Sequence, residues 1–141
     1  MLAENTVLTG RRAITRSYAK INLTLDVLSK RENGYHDIKM IMQTVSLFDL
    51  ILVDKTHRGI SISTNLPYLP CNEKNIAYKA ADAFFKATGI RGGAKIVIHK
   101  NIPVAAGLAG GSGNCAAVLT AMNMLHGNPL SNDELMHIGA S

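Results

Sequence analysis

The sequence predicts a single α+β domain over residues 1–141, with a largely antiparallel sheet packed against helices. Segments with strand character fill the first half of the chain, and the helical spacing of apolar residues begins only near residue 75. Strands that follow one another without intervening helices usually pair as antiparallel neighbours. No internal repeat divides the chain, and its 141 residues are enough for one hydrophobic core.

The first strand is predicted by alternation, after a loosely ordered lead-in over residues 1–10. From residue 21 to residue 27, apolar residues occupy every second position and polar residues lie between them. This is the pattern of a half-buried strand. Lys20 and Asn22 share its other face, where they could point together into a ligand site.

Further strands are expected around a tight turn. The Asn33-Gly34 pair is typical of a turn between two strands. Apolar content predicts a strand over residues 38–53, with a break near residues 47–49. Alternation predicts a further strand over residues 60–63, which a turn at residues 55–59 would join to the preceding strand as a hairpin.

The second half of the chain predicts three helices and one strand. Asn75 begins a helical apolar series that ends at Gly89, a residue suited to the C-terminal cap. Ser131 and Glu134 form a capping box that opens the last helix. The remaining expected elements are a loop over residues 66–72, a strand over residues 94–99, a helix from the glycine-rich segment to residue 125, and a last helix reaching about residue 138.

A glycine-rich segment within residues 102–125 is the strongest functional signal. Glycine lets backbone N–H groups turn toward a common point, and the first turn of a helix adds unpaired N–H groups and a positive dipole end. Such a segment binds anions, phosphate above all, and a packing turn is the structural alternative. Ser112 or Asn114 could cap the helix or bond a phosphate oxygen. The glycines are Gly107, Gly110, Gly111 and Gly113.

The segment does not follow the two commonest phosphate-loop patterns. No lysine occurs after Lys100, so the Gly-Lys-Ser/Thr ending of a P-loop is excluded. Gly111, Gly113 and Ala116 match a dinucleotide-binding fingerprint loosely, with Asp133 downstream. That fingerprint starts at the tip of a strand, whereas a long apolar arm precedes the first matching glycine here.

The whole segment resembles the phosphate-binding motif of the galactokinase, homoserine kinase, mevalonate kinase and phosphomevalonate kinase (GHMP kinase) superfamily. In the branch that phosphorylates 4-diphosphocytidyl-2-C-methyl-D-erythritol, the motif is close to Lys-x-Ile-Pro-x-x-x-Gly-Leu-Gly-Gly-Gly-Ser-Ser-Asn/Asp-Ala-Ala. Residues 18–23 (Tyr-Ala-Lys-Ile-Asn-Leu) and 31–36 (Arg-Glu-Asn-Gly-Tyr-His) are similar to two further motifs of that branch, in the same order. The matching loop positions are Lys100, Ile102, Pro103, Gly107, Leu108, Gly110, Gly111, Ser112, Asn114 and Ala116.

The resemblance implies a fold like the second domain of ribosomal protein S5, and a role for each matched residue. Lys20 would be catalytic, lowering the pKa of the reacting hydroxyl and offsetting charge on the transferred phosphoryl group, while Asn22 orients the substrate. Tyr35 would stack on cytosine and His36 would hydrogen-bond its edge. Without the family they are a strand-end Tyr and a surface His. The implied ATP- and phosphate-binding residues are Asn75, which could also cap its helix, Lys100, Pro103, Gly107, Leu108, Ala109, Gly110, Gly111, Ser112, Gly113 and Asn114.

Two loop positions depart from the motif. Ala109 replaces a glycine, and Gly113 replaces the second serine, which in this superfamily helps to hold magnesium and phosphate. Ser112 remains as a candidate magnesium ligand, and ATP and Mg²⁺ are the expected cofactors. The superfamily's proton acceptor is an Asp in a Gly-x-Asp-Val-Pro motif that would follow Ser141. We therefore expect the chain alone, without that Asp and the carboxy-terminal domain, to lack activity.

Composition narrows the class of partner. The net charge of +5 favours an anionic ligand, but the 15 Lys and Arg residues are spread along the chain. Four Tyr, three Phe and no Trp offer no aromatic-basic stripe, so a solvated basic face is favoured over a nucleic-acid groove. Cys71 and Cys115 have no metal-ligand spacing and are interpreted as reduced thiols of a cytoplasmic protein. No apolar run suggests a membrane span or a secretory signal.

The resemblance implies an ATP-dependent kinase that phosphorylates the 2-hydroxyl of 4-diphosphocytidyl-2-C-methyl-D-erythritol in non-mevalonate isoprenoid biosynthesis. One alternative is another kinase of the superfamily, against which Tyr35 and His36 argue. A second is a non-catalytic nucleotide- or RNA-binding module on the same fold, favoured by the positive charge. The sequence leaves undecided whether the chain forms a homodimer that covers an exposed face of the domain.

Overall fold

The computed structural model describes residues 3–30 and 32–140. Met1 and Leu2 of the predicted lead-in, and Arg31 of the motif at residues 31–36, lie outside the described residues. The elements are a 3-10 turn at Ala3–Asn5, strands β1 (Thr6–Thr9), β2 (Arg12–Lys30), β3 (His36–Thr56), β4 (Gly59–Thr64) and β5 (Gly93–His99), and helices α1 (Ile76–Thr88), α2 (Gly110–Leu125) and α3 (Asn132–Ala140).

The strands form one sheet in the order β1-β2-β3-β5-β4. Each neighbouring pair is antiparallel except β4 and β5, which run parallel. The antiparallel meander of β1, β2 and β3 follows from short connections, which cannot carry a crossover between parallel strands. The predicted α+β class with a largely antiparallel sheet is confirmed.

The predicted pairing of the fourth strand is wrong. β4 does not form a hairpin with β3 but lies at the sheet edge, with β5 between them. β5 takes the inner place because its alternate side chains are buried, whereas β4 exposes two serines. The connection at Arg58 and Gly59 passes over Gly93, where a Cβ atom would collide with the backbone of both residues. Glycine at position 93 therefore permits this crossing.

Part of the predicted lead-in is a strand. β1 pairs with β2 across a turn in which Gly10 has a φ of 59°. The Thr6 hydroxyl donates a buried hydrogen bond of 2.9 Å to the Thr15 hydroxyl. Apolar and polar residues do not alternate clearly along the four residues of β1. These residues form a strand because they pair with β2, and not because of a local sequence pattern.

The core lies between one face of the sheet and the helices. Residues paired across the sheet share a face, and the inward face is buried from β2 to β4. Helix α2 packs against β2 and β3, and α1 packs against α2 and β4. The side chains of this core include Ala13, Ile51, Val53, Ile62, Ala80, Phe84, Ile96, Ile98, Val118, Leu119 and Met122.

A long two-stranded ribbon, residues 20–30 of β2 paired with residues 36–44 of β3, extends beyond the helices. The predicted half-buried face is wrong here, because Leu23, Leu25 and Val27 are 57%, 53% and 60% exposed. At its base Lys20 contacts the loop before α2, but beyond that point the described side chains of the ribbon are mostly exposed on both faces. The Asn33-Gly34 turn at its tip is confirmed, with a φ of 86° at Gly34.

The predicted break in β3 near residues 47–49 is a change of register within one continuous strand. Tyr18 pairs with Phe48, but Lys20 pairs with Thr44, so β3 carries extra residues opposite Ala19. Further shifts follow between residues 22 and 24 and between residues 27 and 29. Such irregularities bend and twist a strand, and they break strict alternation of faces.

The helix boundaries agree with the local signals. Asn75 caps α1, since its side chain accepts a hydrogen bond of 2.9 Å from the N–H of Ala77. Gly89 closes α1 in the left-handed conformation, with a φ of 67°. The capping box of α3 is confirmed, because the Glu134 N–H donates to the Ser131 hydroxyl at 3.3 Å and the Ser131 N–H donates to the Glu134 carboxylate at 2.7 Å. Across the described parts of the chain, no helix has both the length and the apolar character that a bilayer crossing requires.

Candidate nucleotide-binding site

The glycine-rich segment enters helix α2 earlier than its glycines suggest. The helix begins at Gly110, so most of the glycines lie in its first turn, and Ala109 precedes it with a φ of 59°. That conformation is costly for a residue with a Cβ atom. Among the described residues, none accepts a hydrogen bond from the N–H groups of Gly110, Gly111 or Ser112. These donors point out of the helix end and are available to an anion.

An open cavity of about 430 Å³ lies in front of this helix end. No acidic residue lines it within the described chain, and its charged lining residues are Lys74 and Lys100. Its form, and the unpaired N–H groups of the helix end, suit a phosphorylated ligand. The predicted nucleotide-binding residues that line it are Asn75, Lys100, Pro103, Gly107, Leu108, Ala109, Gly110, Gly111, Ser112 and Asn114.

Lys20 lies directly beside the glycine-rich segment. Its backbone N–H donates a hydrogen bond of 3.1 Å to the carbonyl oxygen of Leu108. Its side-chain nitrogen lies 3.2 Å from the sulfur of Met42, a weak acceptor. In the part of the chain that the structure describes, this ammonium has no carboxylate partner. The backbone of Lys20 thus lies beside the loop that precedes the unpaired amides, but its side chain points toward Met42, and Lys20 does not line the cavity.

The predicted substrate-binding residues lie along the ribbon and not in the cavity. Asn22 is near its base, and Tyr35 and His36 are exposed at its tip. From Lys20 to Lys30, which pairs with His36, β2 advances ten residues, or about 33 Å if the strand were straight. The register shifts bend this path. The structure therefore does not bring the tip into contact with Lys20.

The Asn75 side chain is already engaged. Its oxygen accepts from Ala77 as the helix cap, and its nitrogen donates a hydrogen bond of 2.7 Å to the carbonyl of Pro70. Asn75 nevertheless lines the cavity beside Pro70. It holds the loop before α1 against the start of that helix, and its predicted contact with adenine stays a prediction.

Lys100 is also engaged within the protein. Its ammonium is paired with the carboxylate of Asp49, and the two side chains are 6% and 0% exposed. Sequence reasoning missed Asp49. The available signal was an isolated acidic residue within the apolar segment 47–53, but the sequence does not indicate which residue it pairs with.

The two departures from the superfamily motif have different structural settings. Ala109 occupies a left-handed position that a glycine would adopt without strain. Gly113 does not line the cavity but faces β2, where an added Cβ would lie 2.5 Å from the Ser17 hydroxyl. That hydroxyl is buried, and none of the described residues hydrogen-bonds to it. A second serine at position 113 would therefore require Ser17 to move.

The cavity offers few side chains that could bind a metal ion. No cluster of three or more His, Cys, Asp or Glu side chains suited to a metal occurs among the described residues. Ser112 is exposed in the first turn of α2 and lines the cavity. Its hydroxyl is one oxygen ligand, whereas protein-bound Mg²⁺ usually also takes a carboxylate and phosphate oxygens. Ser112 is thus a single candidate oxygen ligand, and its predicted role toward magnesium stays a prediction.

Comparison with known proteins identifies the family. Residues 75–141 match the GHMP kinases N terminal domain. A 4-diphosphocytidyl-2-C-methyl-D-erythritol kinase of Clostridium botulinum (strain Alaska E43 / Type E3) is 50% identical over 124 residues, covering 88% of this chain and 44% of the relative. One of Caldicellulosiruptor saccharolyticus is 51% identical over 127 residues, covering 89% of this chain and 44% of the relative.

A solved structure of a kinase named for the same activity is also similar to this chain. The crystal structure of a 4-(cytidine 5'-diphospho)-2C-methyl-D-erythritol kinase superposes with a TM-score of 0.79 at 34% identity, covering 91% of this chain and 46% of that one. The chain thus spans less than half the length of the curated relatives described above. It belongs to the GHMP kinase family, and its described residues fold as the amino-terminal domain of those kinases.

Proposed function

We propose that this chain is the nucleotide-binding part, over residues 1–141, of a kinase that transfers the γ-phosphoryl group of ATP to the 2-hydroxyl of 4-diphosphocytidyl-2-C-methyl-D-erythritol. The observation that carries the proposal is the hydrogen bond from Lys20 to Leu108. This bond joins the backbone of Lys20 to the loop before a helix end with unpaired N–H groups. Among the described residues, the Lys20 ammonium has no carboxylate partner. The choice of substrate is supported by relatives that are 50% and 51% identical to this chain and are named 4-diphosphocytidyl-2-C-methyl-D-erythritol kinases.

The triphosphate would bind at the first turn of α2. Backbone N–H groups and the positive helix end attract its oxygens, and the glycines allow close approach. The substrate hydroxyl oxygen would attack the γ-phosphorus while the bond to the β-phosphate oxygen breaks and ADP leaves. Lys20 would offset the negative charge on the transferred group. The hydroxyl proton would pass to the Asp that the superfamily motif places after Ser141.

Magnesium would enter with the nucleotide. Its ligands would be phosphate oxygens, water and the Ser112 hydroxyl, since no carboxylate lines the cavity within the described residues. The ion would neutralise charge on the β- and γ-phosphates. The amides of Gly110 and Gly111 would hold the remaining phosphate oxygens, and the adenine would lie toward Asn75.

The second substrate would lie along the ribbon. Tyr35 would stack on its cytosine and His36 would hydrogen-bond the base edge, with Asn22 nearer the reacting hydroxyl. The exposure of Tyr35, 75%, leaves its ring free to stack. In this proposal the partners are small molecules, and the reaction belongs to cytoplasmic isoprenoid biosynthesis by the non-mevalonate route.

A chimera tests the proposed activity. This chain would replace the matching 124-residue stretch of the Clostridium botulinum relative, and γ-phosphoryl transfer from labelled ATP would be measured with 4-diphosphocytidyl-2-C-methyl-D-erythritol, mevalonate and homoserine. We expect transfer to the first acceptor alone. Transfer to another acceptor would favour a sister kinase. If the chain binds no ATP in calorimetry but binds RNA in a salt-sensitive manner, the kinase proposal is wrong.

A further inference from the structure

A buried carboxylate organises the entrance to the glycine-rich segment. Asp49 lies on β3 and is completely buried. It accepts hydrogen bonds from the N–H groups of Asn101 at 2.7 Å and Ile102 at 2.8 Å, and it pairs with the Lys100 ammonium. Three consecutive residues that follow β5 are therefore held by one side chain.

Lys100 is fixed at its other end as well. The side chain of Asn65 donates to the Lys100 carbonyl at 3.1 Å and accepts from the Lys100 N–H at 2.7 Å. The ammonium reaches the first turn of α2, where a Cβ atom on Gly110 would lie 3.0 Å from it. Lys100 thus runs as a strut from the end of β5 to the start of the helix.

Electrostatics explains why this strut needs Asp49. The N-terminal end of a helix carries partial positive charge, so a buried ammonium beside Gly110 is unfavourable by itself. The Asp49 carboxylate supplies the opposite charge and at the same time satisfies two backbone donors. A buried pair of this kind is costly to break from one side, because the remaining charge loses its partner.

We propose that Asp49 is a positioning residue for the nucleotide site, and that Lys100 acts as an internal strut and not as a phosphate-binding cation. By holding Lys100 and the start of the arm at residues 101–109, Asp49 sets where the amides of Gly110 and Gly111 lie. The inference rests on the proposed function, because those amides are the assigned phosphate ligands. The positive charge of Lys100 is then dispensable once the negative charge of Asp49 is removed with it.

A double-mutant cycle tests the inference. Asp49→Asn, Lys100→Met and the double variant would be made in this chain, and ATP and adenosine affinities would be measured by calorimetry beside thermal melting. Each single variant should bind ATP at least about tenfold more weakly while adenosine binding changes less than about threefold. The double variant should recover to within about threefold of the unmodified chain. Asp54→Asn, which breaks the exposed pair with Arg12 on the same strand, is the matched control and should change neither affinity.

Three outcomes would overturn the inference: single variants that bind ATP normally, equal losses for ATP and adenosine, or a double variant as weak as the two losses combined. If a single variant does not fold, amide hydrogen exchange in the double variant decides. Retained protection at Asn101 and Ile102 supports the inference, since the side-chain oxygen of the introduced asparagine can still accept both bonds, and lost protection contradicts it. If the unmodified chain binds no ATP, the proposed function fails, and this inference fails with it.

Discussion

The backbone N–H of Lys20 donates a hydrogen bond of 3.1 Å to the carbonyl oxygen of Leu108. This bond joins strand β2 to the glycine-rich segment two residues before helix α2 begins. It fixes the separation between a lysine and a set of unpaired amides, independently of any ligand. Lys20 does not line the cavity in front of those amides, so its side chain would have to turn away from Met42 to reach a phosphoryl group bound there.

Gly111→Ala should separate ligand binding from stability. An added Cβ at Gly111 meets no atom within 4 Å, and alanine is the better helix former, so the chain should become more stable by up to about 1 kcal/mol. The methyl group would stand in the cavity and weaken ATP binding about tenfold. Gly139→Ala in α3 is the matched control, with stability raised and ATP affinity unchanged. Calorimetry and thermal melting measure both effects, and unchanged ATP binding in Gly111→Ala would contradict the assigned phosphate position.

Restoring the superfamily serine at position 113 should destabilise this chain. The new Cβ would lie 2.5 Å from the Ser17 hydroxyl, and such overpacking costs about 1–3 kcal/mol. Ser17→Ala removes the obstructing oxygen, so the double variant should regain most of the loss. Urea denaturation of the single and double variants measures this coupling. Equal stability of Gly113→Ser with and without Ser17→Ala would rule out the contact.

Stability should fall as the pH decreases through the titration of His126. Burial against Phe84 and Phe85 lowers the pKa of His126 below its ordinary value of 6.5. The unfolded chain therefore takes up a proton at a higher pH than the folded chain does. The resulting stability is complete above about pH 6.5 and is lost as the pH falls toward the folded pKa.

Thermal melting between about pH 7.5 and pH 5.5 measures this dependence. In His126→Gln the slope of melting temperature against pH should decrease. His137→Gln, at an exposed position on α3, should keep the original slope. An unchanged slope in His126→Gln would assign the acid sensitivity to other groups.

Lys20→Met in the kinase chimera should act on the chemical step. The methionine keeps the length of the side chain but removes the charge offered to the transferred group, so kcat should fall by about two orders of magnitude or more, while the KM for ATP stays within about threefold. Lys39→Met, on the exposed opposite strand of the ribbon, is the control and should leave kcat unchanged. A loss confined to the KM for ATP would make Lys20 a binding residue only.

Local signals explain which elements were predictable. Asn75 and Gly89 mark the ends of α1 by their own conformations. Ser131 and Glu134 mark the start of α3 by their reciprocal hydrogen bonds to each other's N–H groups. The glycine-rich segment was likewise recognisable, because unpaired amides at a helix end follow from composition and order along the chain.

Features that depend on distant partners were not predictable. Asp49 pairs with Lys100, which lies 51 residues later in the sequence, and no pattern in either segment indicates this pairing. The place of β4 at the sheet edge depends on the insertion of β5, which follows it in the chain. The alternation of residues 21–27 indicated a strand correctly, but whether a face is buried depends on what packs against it, and the apolar side chains of residues 23–27 are exposed.

The most direct test of the nucleotide site is an amide NMR titration of the isotopically labelled chain with Mg-ATP. We expect the largest saturable shifts at the amides of Gly110, Gly111 and Ser112, with smaller shifts at Lys20, and we expect that adenosine alone does not reproduce them. Shifts that leave these three amides unchanged, while others elsewhere saturate, would contradict this expectation.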